Sequence, residues 1–390
     1  MRICAITTWP PHRDGISFYS AQLYGQMSRR VEVRVLANIV DPRDLSCETP
    51  DAESYCSVIR CWRRGSVTYP FKIFNRVFLE KPDIVHLQHG WLLYGNGFSP
   101  LLFPLLLLIL HLTRKPLIVT MHTVIGEKPR LYGNRVINFM AKVAVMLLTK
   151  SIVKLSTRII VHNDLMKRTL REAYSLQRDD WKILVIPHGV KKVKRKTRKI
   201  NGNENIRVLS LGFIRKWKGI EYLIEAFKIF SSSYPEAILV IAGGKHAHDD
   251  EEYVRRVKKK LLDEGVKNVV LTGFVNEETL DRLIWESEII VLSSLASYYI
   301  EASGSLARIA MYGKPIICSR VPKFEADLED GKDCIMVEMN DPKKLADALF
   351  ILVNNVNLGR NLGRNLKKKF RDRVWSKVAE QHIKLFESLC

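Results

Sequence analysis

The residues best placed for chemistry stand just past short apolar runs. Glu301 precedes the small-residue step Ala302-Ser303-Gly304-Ser305, which leads into an apolar segment. A helix starting near Ser305 would offer the backbone N–H groups from Ser303 through Leu306 to an anion. Glu301, in the loop before it, accepts hydrogen bonds only once ionised, so it suits hydroxyls rather than phosphate. Upstream, LGFIRKWKGIEYLIEAF (211–227) ends a strand-like run at Gly212 and places Arg215, Lys216 and Lys218 ahead of a helix from about Gly219. Arg215 and Lys218 could grip a diphosphate, the first as a planar fork and the second as a point charge. Cations at a helix start oppose its dipole, and an anion held between them removes that conflict. An anion nest beside a hydroxyl acceptor fits a nucleotide sugar.

Two further positions belong to the first half of the chain. His122 ends LIVTMH and could donate to a sugar hydroxyl or phosphate; it could equally be a satisfied structural histidine. Gly15 and Ile16 follow the first apolar run and open a helical pattern, where bare backbone could approach a phosphate or simply turn. The G-x-G-x-x-G fingerprint of nicotinamide and flavin sites is absent there, so no bound cofactor is expected. No Asp-x-Asp metal motif is evident. The seven cysteines are scattered, without a C-x-x-C pair, and read as reduced thiols of a cytoplasmic protein. Cys47, Cys56 and Cys61 lack the spacing and neighbouring histidine of a zinc site.

The elements that must position these residues alternate in type. RICAIT, VEVRVLA, DIVHLQ, LIVTMH, RIIVHN and KILVIP read as strands, followed after a break by RVLSLG, AILVIAG, VVLTGF, IIVLSS and PIICS. Helical patterns such as ISFYSAQLYGQMSRR lie between most of them. Alternating strand and helix implies parallel sheets covered on both faces, here twice over. The expected division is a first domain over 1–190, a basic linker over 191–205, a second domain over 206–365 and a returning terminal helix over 366–390. The terminal pattern of Phe370, Val374, Val378, Ile383 and Phe386 predicts that helix. Ligands of open parallel sheets sit beyond the carboxyl ends of the strands, where the candidate residues lie.

In this order, the segments resemble the retaining glycosyltransferases of family 4. The G-x-x-R-x-x-K-G stretch, the glutamate–small–glycine step and the following Gly-Lys-Pro carry the likeness. The resemblance implies the α/β GT-B fold, two facing Rossmann-like, doubly wound domains with a cleft between them. It implies that Gly15 lies near the donor phosphate, His122 touches the donor sugar, Arg215 and Lys218 hold the diphosphate, and Glu301 contacts sugar hydroxyls. It implies metal-independent transfer from a nucleotide-diphosphate sugar, with the departing phosphate helping to take the acceptor's proton. Many members carry a second glutamate, which holds the ribose, eight positions on; here that place falls on Ile309, or on Arg308 if aligned by Gly313. Glu325 resembles another family acid and is given no role.

The net charge of +21 points to an anionic partner. Lys142, Lys150 and Lys154 share one side of the helix expected over 135–158, interleaved with Phe139, Val143, Met146 and Leu147, at about 100° per residue. Such a face suits an anionic membrane surface or, alternatively, a core helix with outward lysines. The run PLLFPLLLLILHL (100–112) is too short to span a bilayer and reads as a buried or membrane-dipping helix. The expectation is a peripheral protein of the inner face of the cell membrane, with a glycan or lipid-linked acceptor. Nucleic acid is not an expected partner, because the basic clusters lack interleaved stacking aromatics. A catalytically silent sugar-nucleotide binder is the first alternative, and a basic nucleic-acid-binding protein ranks below it.

Overall fold

The structure, a computed structural model, describes residues 1–40, 56–126, 135–193, 206–244, 251–295, 299–338 and 340–390. Most of the expected linker lies outside them. The described chain forms two compact units.

The first unit is built on a sheet of β1 (Arg2–Thr7), β2 (Glu32–Asn38), β3 (Ser57–Trp62), β4 (Ile84–His89), β5 (Leu117–Met121), β7 (Arg158–Val161) and β8 (Ile183–Val185), in the order β3-β2-β1-β4-β5-β7-β8; the short β6 (Thr123–Ile125) stands outside it. Every pairing in the seven-stranded sheet is parallel. Helices α2 (Tyr69–Glu80), α3 (Phe103–His111), α4 (Arg135–Leu155) and α5 (Asp164–Ala173) contribute to one hydrophobic core, with Ile73, Leu107, Ile152 and Leu170 fully buried. Helix α1 (Gly15–Met27) belongs to the other.

The second unit repeats the plan with β9 (Arg207–Leu211), β10 (Ile238–Ala242), β11 (Val269–Gly273), β12 (Ile289–Leu292), β14 (Ile316–Ser319) and β15 (Ile335–Val337), ordered β11-β10-β9-β12-β14-β15 and again parallel. Its helices are α6 (Ile220–Ser233), α7 (Glu251–Asp263), α8 (Glu277–Glu286), α9 (Gly304–Ile309), α10 (Pro322–Glu325), α11 (Pro342–Asn354) and α12 (Val356–Phe370). In both sheets the strand order reverses beside the first strand. That reversal opens a crevice between the loops that follow the two central strands.

Two expectations are corrected. Glu301 does not lie in a loop: β13 (Tyr299–Glu301) pairs antiparallel with β6 and belongs to the first unit. Ile300 packs against that unit's core, which draws the segment into a strand. The terminal segment is not one helix. α12 ends at Phe370, Val374 is extended and bridges Val190, and α13 (Trp375–Glu387) begins afresh. The chain therefore leaves the second unit at 374/375 rather than near 366, because Leu366 and Phe370 are part of the second unit's core. In the first unit, α13 packs on α1, with Val378, Ile383 and Phe386 beside Tyr19, Leu23 and Met27.

Phe386 is fully buried, so Phe386→Ala is expected to destabilise the first unit by roughly 3–5 kcal/mol, read as an earlier first transition in chemical denaturation.

Candidate functional site

In the second unit, the loop after β9 is shaped by close approach of backbone. Gly212 has φ +114°, a region side chains rarely adopt. A Cβ on it would lie 2.7 Å from Ser305 Oγ and 3.4 Å from Lys218 Nζ. Gly243, after β10, packs so tightly that a Cβ there would overlap the Gly212 carbonyl. The Gly212 N–H donates to Ala242 O and the Ile214 N–H to Gly244 O, so the loop continues alongside β10. Ile214 is buried, which fixes the following residues as a short turn, 216–218, before α6.

This brings three sequence-predicted residues together. Lys218 Nζ lies 3.5 Å from Ser305 Oγ, and that hydroxyl donates to Leu211 O at 3.3 Å. Arg215 stacks its guanidinium over the Trp217 ring, 3.9 Å from its centroid. The loop is pinned to the end of β12: the Leu295 N–H donates to Trp217 O at 2.7 Å. Trp217 is absent from the sequence reading; its place between two candidate cations was the available signal. Stacking holds the guanidinium plane before any anion arrives.

α9 starts at Gly304, one residue earlier than expected, with Ser303 as its cap. Ser303 Oγ accepts from the Leu306 N–H at 3.2 Å, so that donor is already used, and the Leu306 side chain is buried. The first-turn N–H groups without an intrahelical acceptor are those of Gly304 and Ser305. Ile309 is a core residue and Arg308 turns toward α8, with Glu277 Oε2 at 2.5 Å and Asp281 Oδ1 at 2.8 Å. Asp281 also receives Lys191 at 2.7 Å and the Tyr312 hydroxyl at 2.5 Å. Burial opposes its ionisation, but these partners outweigh it and lower its pKa. Neither position supplies a carboxylate. Glu325 is exposed on α10.

The first unit presents a different chemistry. His89, His122, His162 and His188 each stand at or just past the carboxyl end of a strand: β4, β5, β7 and β8. Sequence reasoning singled out His122 alone, although IVHLQH, LIVTMH, RIIVH and ILVIPH repeat the pattern. The Tyr19 ring of α1 covers His122, His162 and His188 at 4.6, 5.1 and 5.2 Å between centroids. Burial lowers the pKa of His122 well below the ordinary value, with the neighbouring His162 and His188 adding to the shift. Burial likewise lowers His162 to about 3 and His89 to about 4.

These rings are therefore neutral near pH 7, and they stand in a hydrogen-bond chain. His162 Nδ1 donates to Ile186 O, 3.1 Å away, and its Nε2 lies 3.1 Å from His122 Nδ1. His122 Nε2 meets Gln88 Oε1 at 2.7 Å. The Gln88 side-chain N–H donates to the Tyr24 hydroxyl at 2.6 Å, and that hydroxyl meets His86 Nδ1 at 3.0 Å. Both ring nitrogens of His122 are thus engaged within the unit. A donor contact from this side chain would have to replace one of these partners.

Glu301 pairs with Thr123, the residue after His122, which places the two sequence-predicted residues on neighbouring strands of this unit. Gly15 opens α1 and faces open space. The cap of that helix is Asp14, whose Oδ1 accepts from the Ser17 N–H at 2.6 Å. Burial opposes its ionisation, but His12, Ser17 and Arg64 outweigh it and hold its pKa low. Gly15 and Ile16 therefore adjoin a buried carboxylate. Among the described residues no cluster of three or more potential ligands could hold a metal ion. Cys47 lies outside the described residues.

Comparisons with known proteins bear on both units. Residues 13–192 match the model described as Glycosyltransferase Family 4, and residues 190–369 the model described as Glycosyl transferases group 1. An uncharacterized glycosyltransferase of Methanocaldococcus jannaschii is 27% identical over 51% of this chain; the match spans 48% of the relative's own length. An alpha-D-kanosaminyltransferase of Streptomyces kanamyceticus is 24% identical over 79% of this chain and 78% of its own. Anabaena HepE, solved with UDP-glucose, is 14% identical with a TM-score of 0.74 over 100% of both chains. A sucrose-phosphate synthase of Thermosynechococcus elongatus is 20% identical with a TM-score of 0.73, over 100% of this chain and 99% of its own. These likenesses show the shared fold.

The neutral histidines make the first unit acid-sensitive. Unfolded histidine binds a proton below pH about 6.5, whereas the buried rings take one only near their lowered values. Stability is expected to fall as pH drops from about 6.5 toward 4, by up to ~1.4 kcal/mol per pH unit for each ring, measured by denaturant titration at stepped pH.

Proposed function

Because the chain belongs to the group 1, family 4 glycosyltransferases, we propose that it moves a sugar from a nucleotide-diphosphate sugar to a glycan or lipid-linked acceptor at the inner face of the cell membrane. The observation that carries this reading is the cationic cradle of Gly212, Arg215, Lys218 and Ser305 at the strand reversal of the second unit. HepE was solved with UDP-glucose, which makes uridine-diphosphate sugars the first donors to test.

In the proposed reaction the bond between the anomeric carbon and the diphosphate oxygen breaks, and the electron pair leaves with the diphosphate. Arg215 and Lys218 stabilise that charge, with the Gly304 and Ser305 N–H groups as further donors. The acceptor hydroxyl attacks from the same face, its proton passing to the departing phosphate, so configuration is retained. Glu301 accepts hydrogen bonds from sugar hydroxyls and is not a nucleophile. His122 and the start of α1 at Gly15 and Ile16 are proposed donor contacts in the first unit. No metal enters this scheme, and activity in the presence of a chelator is its direct check.

A panel of nucleotide sugars, screened by thermal shift and followed by hydrolysis assays, identifies the donor. Arg215→Ala with Lys218→Ala is expected to raise the donor Kd by about 100-fold or more by calorimetry, with an unchanged melting temperature of the free protein. Wild-type affinity in that double variant removes the cradle from the site. Glu301→Ala is expected to lower kcat by at least ~100-fold in a transfer assay while the fold is retained. Donor binding without hydrolysis or transfer in the wild type would leave a sugar-nucleotide binder.

A further inference from the structure

Helices α2, α3 and α4 lie side by side in one layer of the first unit, α2 on α3 and α3 on α4. Their inner faces belong to one core, yet their outer faces are apolar too. Phe71 and Phe78 of α2, Leu108 of α3, and Phe139, Met140 and Leu147 of α4 are all exposed, Phe78 by 64% and Phe139 by 67%. Soluble proteins seldom leave large side chains bare on three adjoining elements without a use for the surface.

The pattern along α4 says what covers this face. Val136, Met140, Val143, Leu147, Lys150 and Lys154 recur at alternate spacings of four and three, which makes a single stripe. That stripe is apolar in its first part and cationic at its end. The opposite side carries Val145, Leu148, Ile152 and Val153, buried in the core. α4 is long and apolar enough to cross a bilayer, but one side of it is committed to the core of the first unit. Such a helix can lie along a bilayer.

Charge decides between a membrane and a second copy of the chain. The three helices carry Lys72, Arg76, Arg135, Lys142, Lys150 and Lys154 against one acid, Glu80, which pairs with Arg76 at 2.6 Å. Arg114 and Lys115 follow α3 after two intervening residues. A self-complementary contact would set these cations against themselves. An anionic bilayer offers the opposite charge at its headgroups and a fitting medium for the phenylalanines just beneath.

We infer that the outer face of α2, α3 and α4 docks on an anionic lipid surface, with the apolar first part of α4 in the acyl boundary and Lys150 and Lys154 at the headgroups. This rests on the proposed action at a membrane and names the surface responsible. None of these side chains belongs to the cradle, so donor binding and docking are separable.

The test is flotation of the full chain with phosphatidylcholine vesicles, with and without phosphatidylglycerol, and calorimetric donor binding on the same samples. The wild type is expected to float with the anionic vesicles and to be released by salt. Lys150→Glu with Lys154→Glu is expected to weaken that binding about 30-fold. Phe78→Ser with Phe139→Ser and Leu147→Ser is expected to abolish it, with melting temperature and donor affinity kept. A wild type that stays unbound to anionic vesicles, or a triple variant that floats as well as the wild type, overturns the inference. So does a dimer that the triple variant dissociates while no protein floats. Lost donor binding in the wild type would strike the glycosyltransferase reading instead, whatever the flotation shows.

Discussion

The second unit turns on the contact between Gly212 and Gly243. A parallel sheet buried on both faces admits irregular backbone only where its strands end, and β9 ends in the middle of the sheet. There the chain must turn without a side chain, at positive φ, with the next strand's glycine seated on its carbonyl. Everything in the cradle follows from that closeness. Ser305 can reach Leu211, Lys218 can reach Ser305, and Trp217 can accept from the end of β12. Any β-carbon at 212 or 243 would push these groups apart, so the cations depend on two residues that carry no charge.

The two units end their sheets with opposite electrostatics. In the second, the crevice collects arginine, lysine and helix-start N–H groups, a setting for phosphate. In the first, four strand ends carry histidines; burial keeps His89, His122 and His162 uncharged, and the last two join Gln88, Tyr24 and His86 in one hydrogen-bond chain. Neutral polar groups with fixed donors and acceptors suit hydroxyls and repel no charge. Burial makes a positive charge on either His122 or His162 costly.

Much of this was legible in the sequence, because long β-branched runs, and cations after them, are local signals. Eleven strands were marked by such runs, and Arg215 and Lys218 by their spacing. What was hidden depends on distant partners. β3 carries Arg60 and Cys61 in an edge strand, and β15 is three residues long. β6 and β13 are strands only because each finds the other across 174 residues, from Ile125 to Tyr299. The break at 371–374 sits inside a continuous helical pattern; it appears because Val374 bridges Val190 and Arg373 pairs with the buried Asp327 at 2.5 Å. The histidine row was present in the sequence as a repeat, of which His122 alone was singled out.

The place of the missing second glutamate shows why alignment by residue type was not enough. On α9 the side chain at 309 points into the second unit's core, 1% exposed, among Leu306, Ala310 and Phe324. A carboxylate there would be buried without a partner, at a cost of several kcal/mol, rather than presented to a ribose. The outward neighbour is Arg308, and it is held by Glu277 and Asp281, which also hold Lys191 and Tyr312. A glutamate at 308 would face those two acids and leave Lys191 as the cation of the group. The swap therefore cannot be undone at one position. Glu277 and Asp281 of α8, Arg308 of α9 and Lys191 form one charge-balanced cluster, and a glutamate at 308 would break that balance.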